Sequence, residues 1–146
     1  MAIDFNHTIV WARDSEESAT FLSQVLGLPP PKQWGPFLVV TTANGTNLDF
    51  MNADGEISPQ HYAFLVSEPE FDQIFDRVRE RSLFYWADPA QSKAGEINRS
   101  DGGRGFYFED PNGLPRGDHS ALWQRRRLRG PQPTPAARCP SMTAWC

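Results

Sequence analysis

The strongest constraint on this chain is an order of local signals that occurs twice: a strand, an amphipathic helix, then short strands separated by turns. Residues 3–11 (IDFNHTIVW) are β-branched and aromatic with few breakers, which is strand chemistry. Asp14 and Glu17 form a D-x-x-E box like a helix capping box; Phe21, Leu22, Val25 and Leu26 make one apolar stripe, and Gly27 stands where a C-terminal cap belongs. After prolines 29–31, residues 35–42 and 46–52 read as strands joined at Asn44-Gly45, a strong hairpin signal. The second unit follows the same order. HYAFLVS (61–67) is a strand, and Pro69 begins a helix whose Phe71, Ile74, Phe75 and Val78 fall at i, i+3, i+4 and i+7. A short strand at 83–86, a Gly-rich polar stretch at 87–103 and the strand RGFYFE (104–109) complete it, and the turn Asp110-Pro111-Asn112-Gly113 should launch one more strand. The 87–103 stretch is expected to be exposed and mobile, a lid over a cavity mouth.

Length and charge bound what this repeat can do. The 146 residues suit one domain, since an independent core needs on the order of 100 residues. No apolar run approaches the roughly 20 residues of a membrane span. The opening MAIDFNHTIVWARD has neither a basic region nor a small-residue cleavage site, so a cytoplasmic place is expected. Residues 1–113 carry 8 Lys+Arg against 17 Asp+Glu, whereas 114–146 carry 6 Arg and one Asp. Cys139, Cys146 and five of the thirteen prolines also lie in that basic end. We therefore divide the chain into a domain at 1–113 and a solvated, disordered tail at 114–146. The run Arg125-Arg126-Arg127-Leu128-Arg129 has no aromatic interleaving and belongs to a chain with an acidic body, so neither nucleic acid nor membrane is an expected partner.

Strand alternation identifies candidate ligands. His7, Ile9 and Trp11 share one face of the first strand; Asn47, Asp49 and Met51 share a face of theirs, and His61, Ala63 and Leu65 another. If the bulky aliphatic faces pack on the helices, His7, Asp49 and His61 point into one cavity. Two imidazoles and a carboxylate suit Fe, Mn, Zn or Ni as a divalent ion.

The stretches NHTIVWARDSEESATFLSQVLGLP, NLDFMN, HYAFLV and GRGFYFEDPNG, in this order, resemble the vicinal oxygen chelate superfamily, which includes glyoxalase I, bleomycin-resistance proteins, fosfomycin-resistance enzymes and extradiol dioxygenases. The resemblance covers about residues 3–113 and implies an α+β fold of two βαβββ modules forming an open, cup-shaped barrel, paired in a homodimer. It implies His7 and His61 as metal ligands. Asp49 matches the fourth-strand place that holds a glutamate ligand in glyoxalase I and no ligand in some other members, so it is either a ligand or a polar cavity residue. The last ligand, a glutamate four residues after the glycine of the D-P-x-G turn, falls on Gly117, which has no ligand side chain.

The expectation for the last strand is therefore disruption, with Pro115 and Gly117 opposing a strand at 114–120. Back-translated and read from the second base of each codon, 114–124 permits the ending E-I-T-R-P-Y-G, with glutamate at the place of Gly117; an out-of-frame C-terminus is the preferred reading. Functionally, the resemblance implies a metal-dependent small-molecule enzyme, a glyoxalase-like lyase or extradiol-type dioxygenase, whose metal chelates vicinal substrate oxygens. Without the eighth-strand glutamate its activity would be impaired. The alternative is a metal-free protein that binds a small ligand, like the bleomycin-resistance proteins.

Overall fold

In the computed structural model, described for residues 2–99, 102–111 and, by backbone, 119–124, the chain runs β1 (His7–Ala12), α1 (Ser15–Leu26), β2 (Lys32–Trp34), β3 (Phe37–Thr41), β4 (Asn47–Asn52), β5 (His61–Val66), α2 (Glu68–Glu80), β6 (Tyr85–Trp86), β7 (Arg104–Glu109) and β8 (His119–Gln124). This is βαβββ twice, an α+β arrangement. The two halves share a topology as well as an order. The first sheet is β1-β4-β3-β2 and the second β5-β8-β7-β6; β1 pairs parallel with β4 and β5 parallel with β8, and the remaining pairs are antiparallel. Among the described residues the sheets remain separate ladders, so the cup is not closed by their own pairing.

Local chemistry explains where each helix starts and stops. Asp14 caps α1, its Oδ1 accepting from the Glu17 amide at 3.0 Å, and Gly27 ends the helix in the left-handed region at φ 71°. Ser67 caps α2 through a reciprocal box: Glu70 N–H donates to Ser67 Oγ at 3.5 Å, and Ser67 N–H donates to Glu70 Oε2 at 2.9 Å. The two hydrogen bonds from Ser67, side chain first and then backbone, lower the Glu70 pKa against a small opposing effect of burial.

Each sheet buries one face under its helix. Val10, Leu48, Phe50 and Val40 pack against Ala19 and Leu22 of α1, while Phe106 and Phe108 pack against Phe71, Ile74 and Val78 of α2. Phe106 is 0% exposed and meets the rings of Phe71 and Phe75 with centroids 5.3 Å away in both cases. Val25 of α1 belongs to the second cluster, and Arg77 of α2 donates to its carbonyl at 3.2 Å, which joins the two modules through their helices. Arg104 ties β7 to α2, donating to Asp72 Oδ1 at 2.8 Å and Glu68 Oε2 at 2.6 Å over the Phe71 ring. Burial opposes its charge, but these carboxylates prevail and raise its pKa. No described helix is long and apolar enough to cross a membrane.

One expectation is corrected. The last strand is present: β8 pairs over six residues with both β5 and β7, where disruption was expected. Its sequence, HSALWQ, contains neither proline nor glycine, so the breakers at Pro115 and Gly117 precede the strand and do not interrupt it. The sheet consequently extends past the boundary drawn after residue 113. The 87–103 stretch is largely exposed, as expected, and carries backbone hydrogen bonds at several points. Ala87 N–H donates to Lys93 O at 3.1 Å, Gly95 N–H to Tyr85 O at 2.9 Å, and Asn98 and Gly105 exchange bonds of 2.7 and 2.9 Å. β2 fills the place after α1 that the βαβββ order implies but that no local signal located. Expectations that rest on Gly117, the Arg125 to Arg129 run, Cys139 and Cys146 lie outside the described residues.

Candidate functional site

The open faces of the two sheets carry the candidate ligands. In β1, His7, Ile9 and Trp11 are exposed while Val10 and Ala12 are buried; in β5, His61, Ala63 and Leu65 are exposed while Tyr62, Phe64 and Val66 are half-buried. The parity read from the sequence therefore places both histidines away from the helices.

Asp49 sits on β4, between β1 and β3, directly opposite Ile9 on one side and Val39 on the other. It is only 7% exposed, and its Oδ1 is buried without a hydrogen-bond partner. A carboxylate stripped of water and left with an unsatisfied oxygen is costly, and a cation is the partner that compensates it best. His7 pairs with Asn47, two residues from Asp49 on the same strand, which puts His7 and Asp49 on one face at diagonal positions about 7–8 Å apart at their backbones. That lies within reach of a shared ion. The His7 ring is oriented by Asn6, whose Oδ1 lies 2.7 Å from Nδ1.

His61 belongs to the other sheet. Its ring lies 5.9 Å, centroid to centroid, from that of Tyr107 on β7, which sequence reasoning had placed only as a strand residue. Burial, and then the negative charge of Asp88, raise the Tyr107 pKa, so its phenol stays protonated at neutral pH. The available signal was alternation in RGFYFE, which puts Tyr107 and Glu109 on the face opposite Phe106 and Phe108. Gln91 in turn donates to Glu109 Oε1. Among the described side chains, no three of His, Cys, Asp and Glu are gathered closely enough to hold a metal. The register thus sets His7 and Asp49 on one face of the first sheet and leaves His61 on the second. A surface hollow of about 510 Å³ beside α1 is lined by Glu17, Phe21, Arg81 and Pro111 among others and contains none of the candidate ligands.

Comparison with known proteins fits this architecture. Residues 4–115 match the model of the Glyoxalase/Bleomycin resistance protein/Dioxygenase superfamily, and the chain belongs to that family. It is 29% identical over 119 residues to glutathione transferase FosA of Serratia marcescens, covering 77% of each chain. Among solved structures it is similar to oxidase ChaP-H1, at 51% identity and a TM-score of 0.81 over 86% of this chain and 98% of that one. Oxidase ChaP-H2 is similar at 52% identity and the same TM-score, over 86% and 96%. A lactoylglutathione lyase from Agrobacterium tumefaciens shares the fold at 17% identity, with a TM-score of 0.59 over 83% and 92%.

Proposed function

We propose that this chain is a metal-dependent oxidase of small molecules, with His7, Asp49 and His61 as the protein ligands of a divalent ion, Fe, Mn, Zn or Ni. The observation that carries the proposal is the buried, unpartnered Oδ1 of Asp49 on the face that also holds His7. Such a group fits a bound cation and has no other evident use there. When bound, the ion supplies Lewis acidity toward two adjacent oxygens of a substrate. His7 and His61 would hold it through neutral imidazoles, Asp49 would add the negative charge, and the Tyr107 ring would form the wall beside His61. Similarity to two oxidases at about half identity favours oxidation over the lyase reaction.

The proposed working form is a homodimer. Ile9, Trp11, Trp34, Leu65 and Phe84 are large apolar side chains left exposed by one chain. A second copy covering the open faces would bury Ile9, Trp11 and Leu65 and supply the missing wall of the cup, bringing a ligand from each sheet to one centre.

Oxygen uptake tests the reading. Protein stripped with EDTA and resupplied separately with Fe(II), Mn, Zn or Ni is assayed against vicinal diols and α-hydroxyketones. Uptake that requires one of these ions and disappears in Asp49→Asn is the expected result. Uptake that is unchanged by EDTA would overturn the proposal, as would a chain that takes no metal yet binds a small ligand tightly; the latter would establish the metal-free binding protein instead.

A further inference from the structure

The turn that follows β6 is braced from within. Trp86 bridges Ala94, Ala87 N–H donates to Lys93 O at 3.1 Å, and residues 88–93 project between these stems from the edge of the second sheet. The Asp88 carboxylate closes the turn: its Oδ2 accepts from Ser92 N–H at 3.1 Å and from Ser92 Oγ at 2.8 Å, and its Oδ1 accepts from Lys93 N–H at 2.8 Å. Gln91 N–H donates to Asp88 O at 3.1 Å. A turn tied together by its own aspartate in this way shifts as one body about its two stems.

Its tip reaches back to the open face of the sheet. The side-chain amide of Gln91 donates to Glu109 Oε1, 18 positions along the chain. Glu109 and Tyr107, two residues apart on β7, share the face opposite Phe106 and Phe108, which are 0% exposed against α2. Trp86, at the stem of the turn, is the direct partner of Tyr107. The turn therefore runs beside β7 from the level of Tyr107 to that of Glu109. Tyr107, whose ring lies against that of His61, is only 7% exposed although it points away from the helices. Gln91 makes its contact from a left-handed backbone, φ 58°, which a residue with a Cβ seldom adopts. Such strain persists only where surrounding contacts hold it, and it clusters at ligand clamps and switch segments.

We propose that residues 88–93 form a strap over the open face of the second sheet and that Gln91, bonded to Glu109, is the latch that holds it closed. Release of the latch lets the turn swing about its stems at Ala87 and Ala94, uncovers Tyr107 and admits a small molecule to the face that carries His61. Gln91 is a positioning residue: it acts through the turn and not on the reacting atoms. The strap goes beyond the function proposed above and does not depend on it, because the latch and the side chain it covers are the same with or without a bound ion. It would serve a metal-dependent enzyme and a metal-free binding protein alike.

Nitration of the full chain by tetranitromethane, read at each tyrosine by peptide mass mapping, tests the strap without substrate or metal. Q91G removes the amide and suits the left-handed backbone, so it introduces no strain of its own. Tyr107 is expected to react roughly tenfold faster in Q91G, the factor that one hydrogen bond to a charged group supplies. Tyr85, packed against Phe75 and Phe106, should keep the parental rate and so report an intact module. E109A is expected to match Q91G. E109Q retains a carbonyl acceptor and should restore a rate close to the parent's. The Q91G/E109A double variant should be no faster than either single one, because the two remove the same contact. A parental Tyr107 rate in Q91G would overturn the strap, as would a double variant whose effect is the product of the two. Acceleration of Tyr85 together with Tyr107 would also overturn it, since the whole module would then be loosened. Metal-dependent oxygen uptake is measured apart from this, so its failure would refute the function proposed above and leave the latch standing.

Discussion

Replacing Asp49 with leucine should make the metal-free protein more stable and the metal-supplemented protein relatively less so. In the parent, Asp49 is 7% exposed with an unpartnered Oδ1, flanked across the sheet by Ile9 and Val39. A buried polar group without its hydrogen bond costs about 1–3 kcal/mol, and more if charged. Leucine removes that cost, has no polar atom to satisfy, and lies in a row with two aliphatic neighbours. The expected gain is about 1–3 kcal/mol, which for a chain of this size raises Tm by roughly 2–12 °C. Bound metal shifts the parent the other way. An ion present at about 100 times its Kd stabilises the form that binds it by about 2.7 kcal/mol, and Asp49→Leu should lose most of this. Thermal unfolding followed by circular dichroism, in EDTA and then in excess Mn or Ni, should therefore show the variant ahead in the first condition and its lead reduced or reversed in the second. A variant that melts below the parent in EDTA would refute the reasoning, because it would show that the carboxylate makes net favourable contacts in the metal-free fold.

Three further outcomes are expected. Phe106→Ala empties the centre of the second core, where Phe106 is 0% exposed, and should cost about 3–5 kcal/mol in urea denaturation; a loss under about 1 kcal/mol would mean that the aromatic cluster is not tightly packed. Gly27→Ala places a Cβ at φ 71° and 2.8 Å from Arg77 Nη1, so a loss of about 1–2 kcal/mol is expected from the backbone strain alone. Ser67→Ala removes the α2 cap and should cost about 1 kcal/mol. Because Ser67 lowers the folded-state pKa of Glu70, the ionic part of this contribution is complete above the ordinary value of 4.5 and fades as pH falls through the folded value. The stability gap between parent and variant should therefore narrow in acid, and a gap that widened there would contradict the sign.

What the sequence reveals is governed by how local each feature is. Both helices were legible because their signals lie within one or two turns: the Asp14 and Glu17 box, the Gly27 stop, and the spacing of Phe71, Ile74 and Val78. Alternation likewise gave the correct faces for His7 and His61. β2 has three residues, all exposed, between prolines and Gly35, and it carries too little pattern to register. β8 was misjudged because Pro115 and Gly117 dominate the stretch before it, while its strand character comes from pairing with β5 and β7, elements distant in the chain. The burial of Asp49 has the same origin, since its neighbours Ile9 and Val39 come from two other strands.

Calorimetric titration of the EDTA-treated chain with Mn, Ni, Zn and Fe(II) tests the central claim most directly, that the open sheet faces hold a metal through Asp49 and the histidines. The account predicts saturable binding of at least one of these ions, weakened roughly tenfold or more in Asp49→Asn and in His61→Ala. Saturable binding that both variants retain at full strength, or no binding of any of the four ions, would contradict it.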